Sequence, residues 1–248
     1  VSAGKGATPQ GTQTEEQAAQ WVRGMFGRVA PRYDLLNHVL SFQTDRYWRS
    51  RTVAALRPRL EQPGVRTLDL CCGTGDLTVA LQAASRERVT GSDFCHPMLI
   101  EAQRKLRIRS AAGGLFEGDA LQLPLRAASF DIITVAFGFR NFANYQRGLE
   151  ELIRVLRPGG VLAILEFSTP PNALFRSLYE FYSLRVLPRV GGWISGDAGA
   201  YSYLPESVRK FPDAPTLASE MEAAGYCRVR FERMTFGIAA LHLGERPR

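Results

Sequence analysis

Short apolar runs alternate with amphipathic stretches along most of this chain, a rhythm that starts after Pro63-Gly64. Residues 65–71, 88–93, 130–136 and 160–167 are apolar on both faces and predict buried strands, with a shorter strand at 115–118. Between them, residues 77–84, 97–107 and 145–154 carry apolar side chains at helical spacing. The alternation predicts an α/β fold, a mostly parallel sheet with helices on both faces. Arg157-Pro158-Gly159-Gly160 reads as a sharp turn feeding the strand after it. A helix ends at 220–224 before Gly225, and residues 229–236 and 239–243 predict a closing antiparallel hairpin across Gly237.

Two stretches stand outside this rhythm. Residues 15–62 are helical in pattern, with Trp21, Met25, Phe26 and Val29 on one stripe and Tyr47, Trp48, Val53 and Leu56 later, punctuated by Pro31 and Ser41. They predict an N-terminal helical cap on an α/β domain spanning 63–248. Residues 169–212 interrupt that domain before its last two strands, too many for a plain loop, and predict a second cap over the sheet's carboxyl edge. Within it Phe175, Leu178, Tyr179, Tyr182 and Val186 recur at helical spacing, a stripe that reads mostly as core, and a Gly-rich aromatic stretch runs over 191–204. Residues 1–14, small and polar with one charge at Lys5, predict a flexible tail.

The composition, 248 residues with 45% hydrophobic and 22% charged, fits one globular domain with a sizeable core. Its apolar runs fall far short of the ~20 residues of a membrane-spanning helix. Cysteines at 71, 72, 95 and 227 show neither metal-ligand spacing nor the density of a disulfide scaffold, so no metal site and a reducing compartment are expected. The net charge of +7 is uneven: 28 of 31 basic residues are arginines, and residues 21–66 hold nine of them against Asp34, Asp45 and Glu61. Such a segment attracts nucleic acid, an anionic membrane or an acidic substrate, or is simply a solvated face.

The strongest local signal is Leu68-Asp69-Leu70-Cys71-Cys72-Gly73-Thr74-Gly75-Asp76, at a strand-to-helix junction. Gly73-Thr74-Gly75 lets the backbone turn tightly against a ligand. The dinucleotide fingerprint is excluded because Thr78 stands where its third glycine belongs, and no Gly-Lys-Ser/Thr makes a phosphate loop. Asp69 suits a cationic amino group. Asp93, in Ser92-Asp93-Phe94 after the second strand, can accept two ribose hydroxyls. Asp119, in Gly118-Asp119-Ala120 after the third, can accept an adenine amine. Each alone is as well read as a helix cap. In this order they match the three polar parts of S-adenosylmethionine. Cys71 and Cys72 read as small spacers beneath that ligand, and His242 as a core histidine.

Longer motifs carry a resemblance. Phe26-Gly27-Arg28-Val29-Ala30-Pro31-Arg32-Tyr33-Asp34-Leu35-Leu36-Asn37, Ala136-Phe137-Gly138-Phe139-Arg140-Asn141-Phe142, Leu156-Arg157-Pro158-Gly159-Gly160, Glu166-Phe167-Ser168 and Tyr203-Leu204-Pro205-Glu206-Ser207-Val208 resemble the quinone C-methyltransferases of menaquinone, ubiquinone and phylloquinone biosynthesis. Leu40-Ser41-Phe42-Gln43-Thr44-Asp45-Arg46-Tyr47-Trp48-Arg49 is similar to their cyanobacterial and plastid branch. The resemblance implies a class I, Rossmann-like methyltransferase with a seven-stranded sheet and S-adenosylmethionine as cofactor. It implies that Arg140 stabilises a phenolate beside the methylated ring carbon, with Asn141 holding the ring oxygen, Tyr33 and Asp34 approaching from the cap, and a water or Asp34 carrying the proton. Ala136 replaces a serine common in relatives, so a hydroxyl contact to the cofactor is lost or passes to Thr134.

The substrate so implied is a prenylated naphthohydroquinone, with a prenylated benzoquinol, or both, as the alternative. No nucleic-acid motif is present, and the fourth-strand end reads Ala136-Phe137-Gly138-Phe139, an apolar threshold in place of a polar base clamp. A lipid-tailed substrate implies peripheral membrane contact through the N-terminal helices or the second cap, on a cytoplasmic or plastid-stromal face. Oligomeric state, a homodimer included, is not legible.

Overall fold

A computed structural model describes residues 6–34, 41–109, 113–186 and 198–248. Lys5, the Leu35-Leu36-Asn37 and Leu40 ends of two motifs, and the 191–197 part of the Gly-rich stretch lie outside the described residues.

The strands predicted from two-sided apolar runs form one seven-stranded sheet: β1 (Thr67–Leu70), β2 (Val89–Asp93), β3 (Gly114–Glu117), β4 (Phe130–Ala136), β5 (Leu156–Phe167), β6 (Cys227–Met234) and β7 (Ala239–Glu245). Their order is β3-β2-β1-β4-β5-β7-β6. β1 to β5 pair in parallel, and β7 runs antiparallel between β5 and β6, with Ile164 opposite His242. The order reverses at β1, where chains on the two sides diverge and leave a crevice at the strands' carboxyl ends.

Helices α3 (Asp76–Ala84), α4 (His96–Ile108) and α5 (Tyr145–Val155) cross over between the parallel strands. Leu68, Ile133, Leu149, Leu152 and Leu162 belong to the core on one face, and Leu77, Leu81, Val89, Ile132 and Leu165 to the core on the other. The Arg157-Pro158-Gly159-Gly160 segment is not the turn before β5. It lies inside that strand as a bulge, where pairing jumps from Phe130–Leu156 to Ile132–Val161. Gly159 takes φ +78 there, and Arg157 is tied to Asp131 at 2.9 Å.

The N-terminal cap is α1 (Glu15–Val29), a turn of 3₁₀ helix over Ala30–Arg32, and α2 (Thr44–Leu60). Thr14 caps α1 by accepting from the N–H of Gln17 at 3.2 Å, and Glu15 and Glu16 complement the helix dipole. α1 buries Ala18, Val22, Met25 and Val29; the last three share a cluster with Cys95 and Met98 of α4. Residues 6–14, part of the tail expected from the sequence, touch the domain. The N–H of Ala7 donates to Phe142 O at 2.8 Å, Ala7 is buried, and a Cβ on Gly6 would lie 2.1 Å from Ala143 O.

The insertion before the last strands contains α6 (Ala173–Phe181), a π-helical turn over Tyr182–Val186, and α7 (Ala198–Lys210); α8 (Ala214–Ala223) follows. Asn172 caps α6 through two backbone N–H groups. The aromatic stripe of α6 does not join the core, for no residue of that helix is buried. Among the described residues, no helix is long and apolar enough to cross a membrane.

Candidate active site

Two cavities meet at the carboxyl edge of the sheet. The smaller, about 70 Å³, is walled by the ends of β1 to β4 through Cys71, Gly73, Asp93, Phe94, Gly118, Asp119, Ala120, Ala136 and Gly138, and is closed by Ala19 and Phe26 of α1. The larger, about 350 Å³, lies between α1, α2, α6 and α7. Phe26, Tyr33 and Phe137 belong to the walls of both and form the boundary between them.

In the crevice, Gly73 follows β1 with φ +54, a conformation glycine adopts without strain. Its N–H donates to Asp93 Oδ2 at 2.9 Å, and the N–H of Cys95 donates to Asp93 Oδ1 at 2.9 Å. Burial pushes the Asp93 carboxyl up to about 6 against the pull of these hydrogen bonds. Asp119 stands exposed at the rim, with Oδ1 accepting from the N–H of Leu121 at 2.9 Å. At Gly118 a Cβ would meet the Phe116 ring at 3.0 Å and Ser92 Oγ at 3.2 Å, so the wall there is backbone.

Other residues expected at this ligand are placed elsewhere. Asp69 is wholly buried beneath the loop, accepting from Thr78 Oγ1 at 2.6 Å and Thr134 Oγ1 at 2.7 Å, and burial raises it to about 6. Thr134 is thereby committed to Asp69 and does not replace a hydroxyl at Ala136. Gly75, φ +85, gives α3 its approach to Ala102, which a Cβ would meet at 3.2 Å. The hydroxyl of Thr74 donates to Asp34, outside both cavity walls. Asp34 is also paired with Lys105 at 2.7 Å, and Lys105 with Asp76, which lies 3.4 Å from Arg49. A carboxylate claimed by an ammonium fastens the cap to the glycine loop; it does not face a ring as proton acceptor.

The larger cavity is aromatic, with Phe26, Tyr33, Phe42, Trp48, Phe137 and Phe167 among its walls; of its two arginines, Arg49 is paired with Asp45 and Arg140 is almost wholly buried. Arg140 follows β4 on a turn of 3₁₀ helix, Phe139–Asn141. Its Nη1 donates to Glu166 Oε1 at 2.8 Å and to Phe137 O at 2.5 Å, its backbone N–H donates to Glu166 Oε2 at 3.2 Å, and its guanidinium lies 5.3 Å from the Phe167 ring centroid. The N–H of Phe167 donates to Glu166 Oε1 at 2.9 Å. Burial raises the Glu166 carboxyl against the pull of Arg140 and of the Phe167 and Arg140 backbone N–H groups. Burial works to lower the Arg140 guanidinium, and Glu166 with Tyr33 and Tyr203 more than offsets it.

Arg140 Nε and Asn141 Nδ2 are buried donors with no partner among the described residues. Each such orphan costs ~1–3 kcal/mol unless a ligand oxygen satisfies it. Asn141 stands in the crevice wall and its Oδ1 accepts from Tyr203 Oη at 3.0 Å, Tyr203 being in the wall of the larger cavity. Arg140, Asn141 and Tyr33 are thus brought together where the cavities meet. Sequence reasoning assigns Glu166 and Tyr203 no role beyond the motifs that hold them. A lone acid in the apolar run 161–167 was the available signal, because a buried carboxylate requires a cation. His242 is core: Nε2 meets Ala214 O at 2.9 Å, and burial lowers it to about 4.

A sequence model of the ubiE/COQ5 methyltransferase family matches residues 12–246. The chain belongs to this family. It is a methyltransferase dependent on S-adenosylmethionine, and the crevice has the chemistry for that group in Gly73, Asp93 and Asp119. The chain is 51% identical to a demethylmenaquinone methyltransferase of Thermus thermophilus over 90% of its own length and 100% of the relative's. It is 47% identical to the corresponding protein of Deinococcus radiodurans (94% and 95%). With the ubiquinone/menaquinone biosynthesis C-methyltransferase UbiE of Shewanella pealeana, identity is 42% (94% and 93%). Among solved structures, the [4+2]-cyclase SpnF superposes with a TM-score of 0.67 at 18% identity, covering 99% of each chain. A SAM-dependent methyltransferase from Thermotoga maritima gives 0.64 at 18%, covering 90% of this chain and 98% of that one. These two likenesses show the fold alone.

Proposed function

We propose that the chain methylates a ring carbon of a prenylated 1,4-naphthohydroquinone, the chemistry of a demethylmenaquinone methyltransferase. One observation carries the reading: a buried guanidinium, fixed by Glu166 and with Nε unpartnered among the described residues, stands in an aromatic cavity that adjoins the cofactor crevice. When bound, S-adenosylmethionine would supply a sulfonium-borne methyl group for an electron-rich carbon to take, the S–CH3 bond breaking to leave S-adenosylhomocysteine as the neutral thioether. The residues of this chain make the ring carbon of the quinol electron-rich. Arg140 stabilises the ring oxygen as phenolate after its proton leaves to water, and Asn141 Nδ2 donates to the same side of the ring. Tyr33 and Phe137 hold the ring against the boundary of the crevice. The hydrogen on the methylated carbon then leaves as a proton to water, because Glu166 is engaged by three donors and Asp34 by Lys105.

Residues 15–62 and 169–212 act as the two caps of this site, and peripheral contact with the cytoplasmic face of a membrane gives access to the tailed quinol. Methylation of a prenylated benzoquinol is the second reading, favoured by the likeness to UbiE. Arg140→Ala tests the mechanism under reducing conditions with both quinols. Turnover should fall at least 100-fold while S-adenosylhomocysteine binding, by calorimetry, stays within threefold. Equal loss of both would refute the role, and the better acceptor decides between the rings.

A further inference from the structure

The outer side of α6 carries exposed apolar residues. Phe175, Tyr179 and Tyr182 stand a turn apart and line the larger cavity. Leu174, Leu178 and Phe181 stand a turn apart on the adjoining strip of helix and are 66%, 57% and 62% exposed. The apolar surface continues around the mouth. Phe42, 76% exposed, packs its ring 5.7 Å from Tyr182, and Phe236 stacks on Phe175 at 4.2 Å. Phe42, Phe175 and Leu178 are both exposed and part of the cavity wall, so they are its lip. A contiguous exposed apolar surface of this kind marks an interaction site.

Two observations select the occupant. At about 350 Å³ the cavity lies at the low end of the ~300–1,000 Å³ typical of small-molecule sites, enough for a two-ring head but not for a long chain as well. The rest of the tail must leave through this lip. A protein seated on the lip would cork it, whereas a bilayer receives the tail directly. Four residues after Phe42 the chain carries an exposed cation, Arg46, and anionic headgroups above acyl chains suit a cation near an apolar lip. We infer that α6, with Phe42 and Phe236, is a membrane-docking face. Leu174, Leu178 and Phe181 enter the acyl boundary of the bilayer, and the cavity mouth opens into lipid. This rests on the prenylated-quinol reading and adds to it the docking element and its orientation.

Leu174→Ser/Phe181→Ser tests the inference, since neither residue lines the cavity. Sedimentation with phosphatidylcholine vesicles containing one quarter phosphatidylglycerol should show at least tenfold weaker binding than wild type. S-adenosylhomocysteine binding and turnover of a tail-less naphthoquinol should stay unchanged, showing an intact fold and site. Turnover of a long-tailed quinol in vesicles should fall at least tenfold. Vesicle binding equal to wild type would overturn the inference. So would a wild-type dimer in sedimentation velocity that the double variant converts to monomer without change in vesicle binding. Docking that is lost in the variant, in a protein that turns over no quinol at all, would uphold the docking face and sink the substrate reading instead.

Discussion

Glu166→Gln removes the negative member of a pair in which Glu166 is 1% and Arg140 5% exposed. The carboxylate accepts from Arg140 Nη1, the Arg140 N–H and the Phe167 N–H. A glutamine has one acceptor oxygen, and its amide donors face groups that are themselves donors. The guanidinium is left buried and uncompensated, which costs ~3–5 kcal/mol. For a chain of 248 residues, at ~2–4 °C per kcal/mol, the melting temperature should fall by ~6–20 °C. Urea denaturation of the cofactor-free protein measures the loss directly. The control is Arg140→Met/Glu166→Gln, in which no charge remains buried: it should recover at least half of the lost stability and remain inactive. In the single variant kcat should fall at least 100-fold, because the guanidinium is no longer aimed, with S-adenosylhomocysteine binding within threefold. A loss below ~1 kcal/mol, or a double variant no more stable than the single, would refute the argument that Glu166 exists to hold a buried cation.

Two further outcomes follow from the buried aspartates. Asp93 titrates at about 6 in the cofactor-free protein, and its ionised form is the one that accepts ribose hydroxyls; S-adenosylhomocysteine affinity should therefore be constant above pH 7 and about tenfold weaker at pH 5, by calorimetry. In Asp93→Asn affinity should be at least tenfold weaker at pH 7.5 and flat with pH; a wild-type profile flat down to pH 5 would contradict this. Asp69, also raised to about 6 from 3.8, holds a proton in the folded state that the unfolded chain has released, so its contribution to stability falls by about 3 kcal/mol as pH rises from 4 through 6. Asp69→Asn, whose amide can meet the rotatable hydroxyls of Thr78 and Thr134, should remove that dependence and be at least as stable as wild type at pH 7.5; destabilisation there by more than ~1 kcal/mol would count against it.

Much of this architecture was legible because parallel strands buried on both faces leave an unmistakable apolar run, and Phe130–Ala136 matches its strand to the residue. Asp93 and Asp119 were legible for the same reason: they follow strands, and strand ends meet at one edge. What was not legible is decided across long stretches of chain. Asp34 looked available until Lys105, on α4, was seen to hold it. Asp69 looked like a ligand until Thr78 and Thr134 were found filling both of its oxygens. The bulge at Gly159 reads as a turn in one dimension, since the same φ serves both, and only the pairing of β4 with β5 tells them apart. The stripe on α6 has core periodicity but no core beneath it, because periodicity reports that one face is apolar and not what meets it.

Phe26, Tyr33 and Phe137 are shared by the two cavities, and beyond them the walls are separate. The crevice is rimmed by Asp119 on the sheet side, while the larger cavity is rimmed by Phe42 and Leu178. With the mouth of the larger cavity set in lipid, as we propose, the molecule has two doors that open on different solvents. The polar donor and its spent form exchange with the aqueous phase through one, and the greasy acceptor and its product exchange through the other, so neither traffic obstructs the other. An enzyme resting on its substrate's own phase can be recharged from the water side without letting go, and can work through a pool of quinol in successive rounds from a single landing.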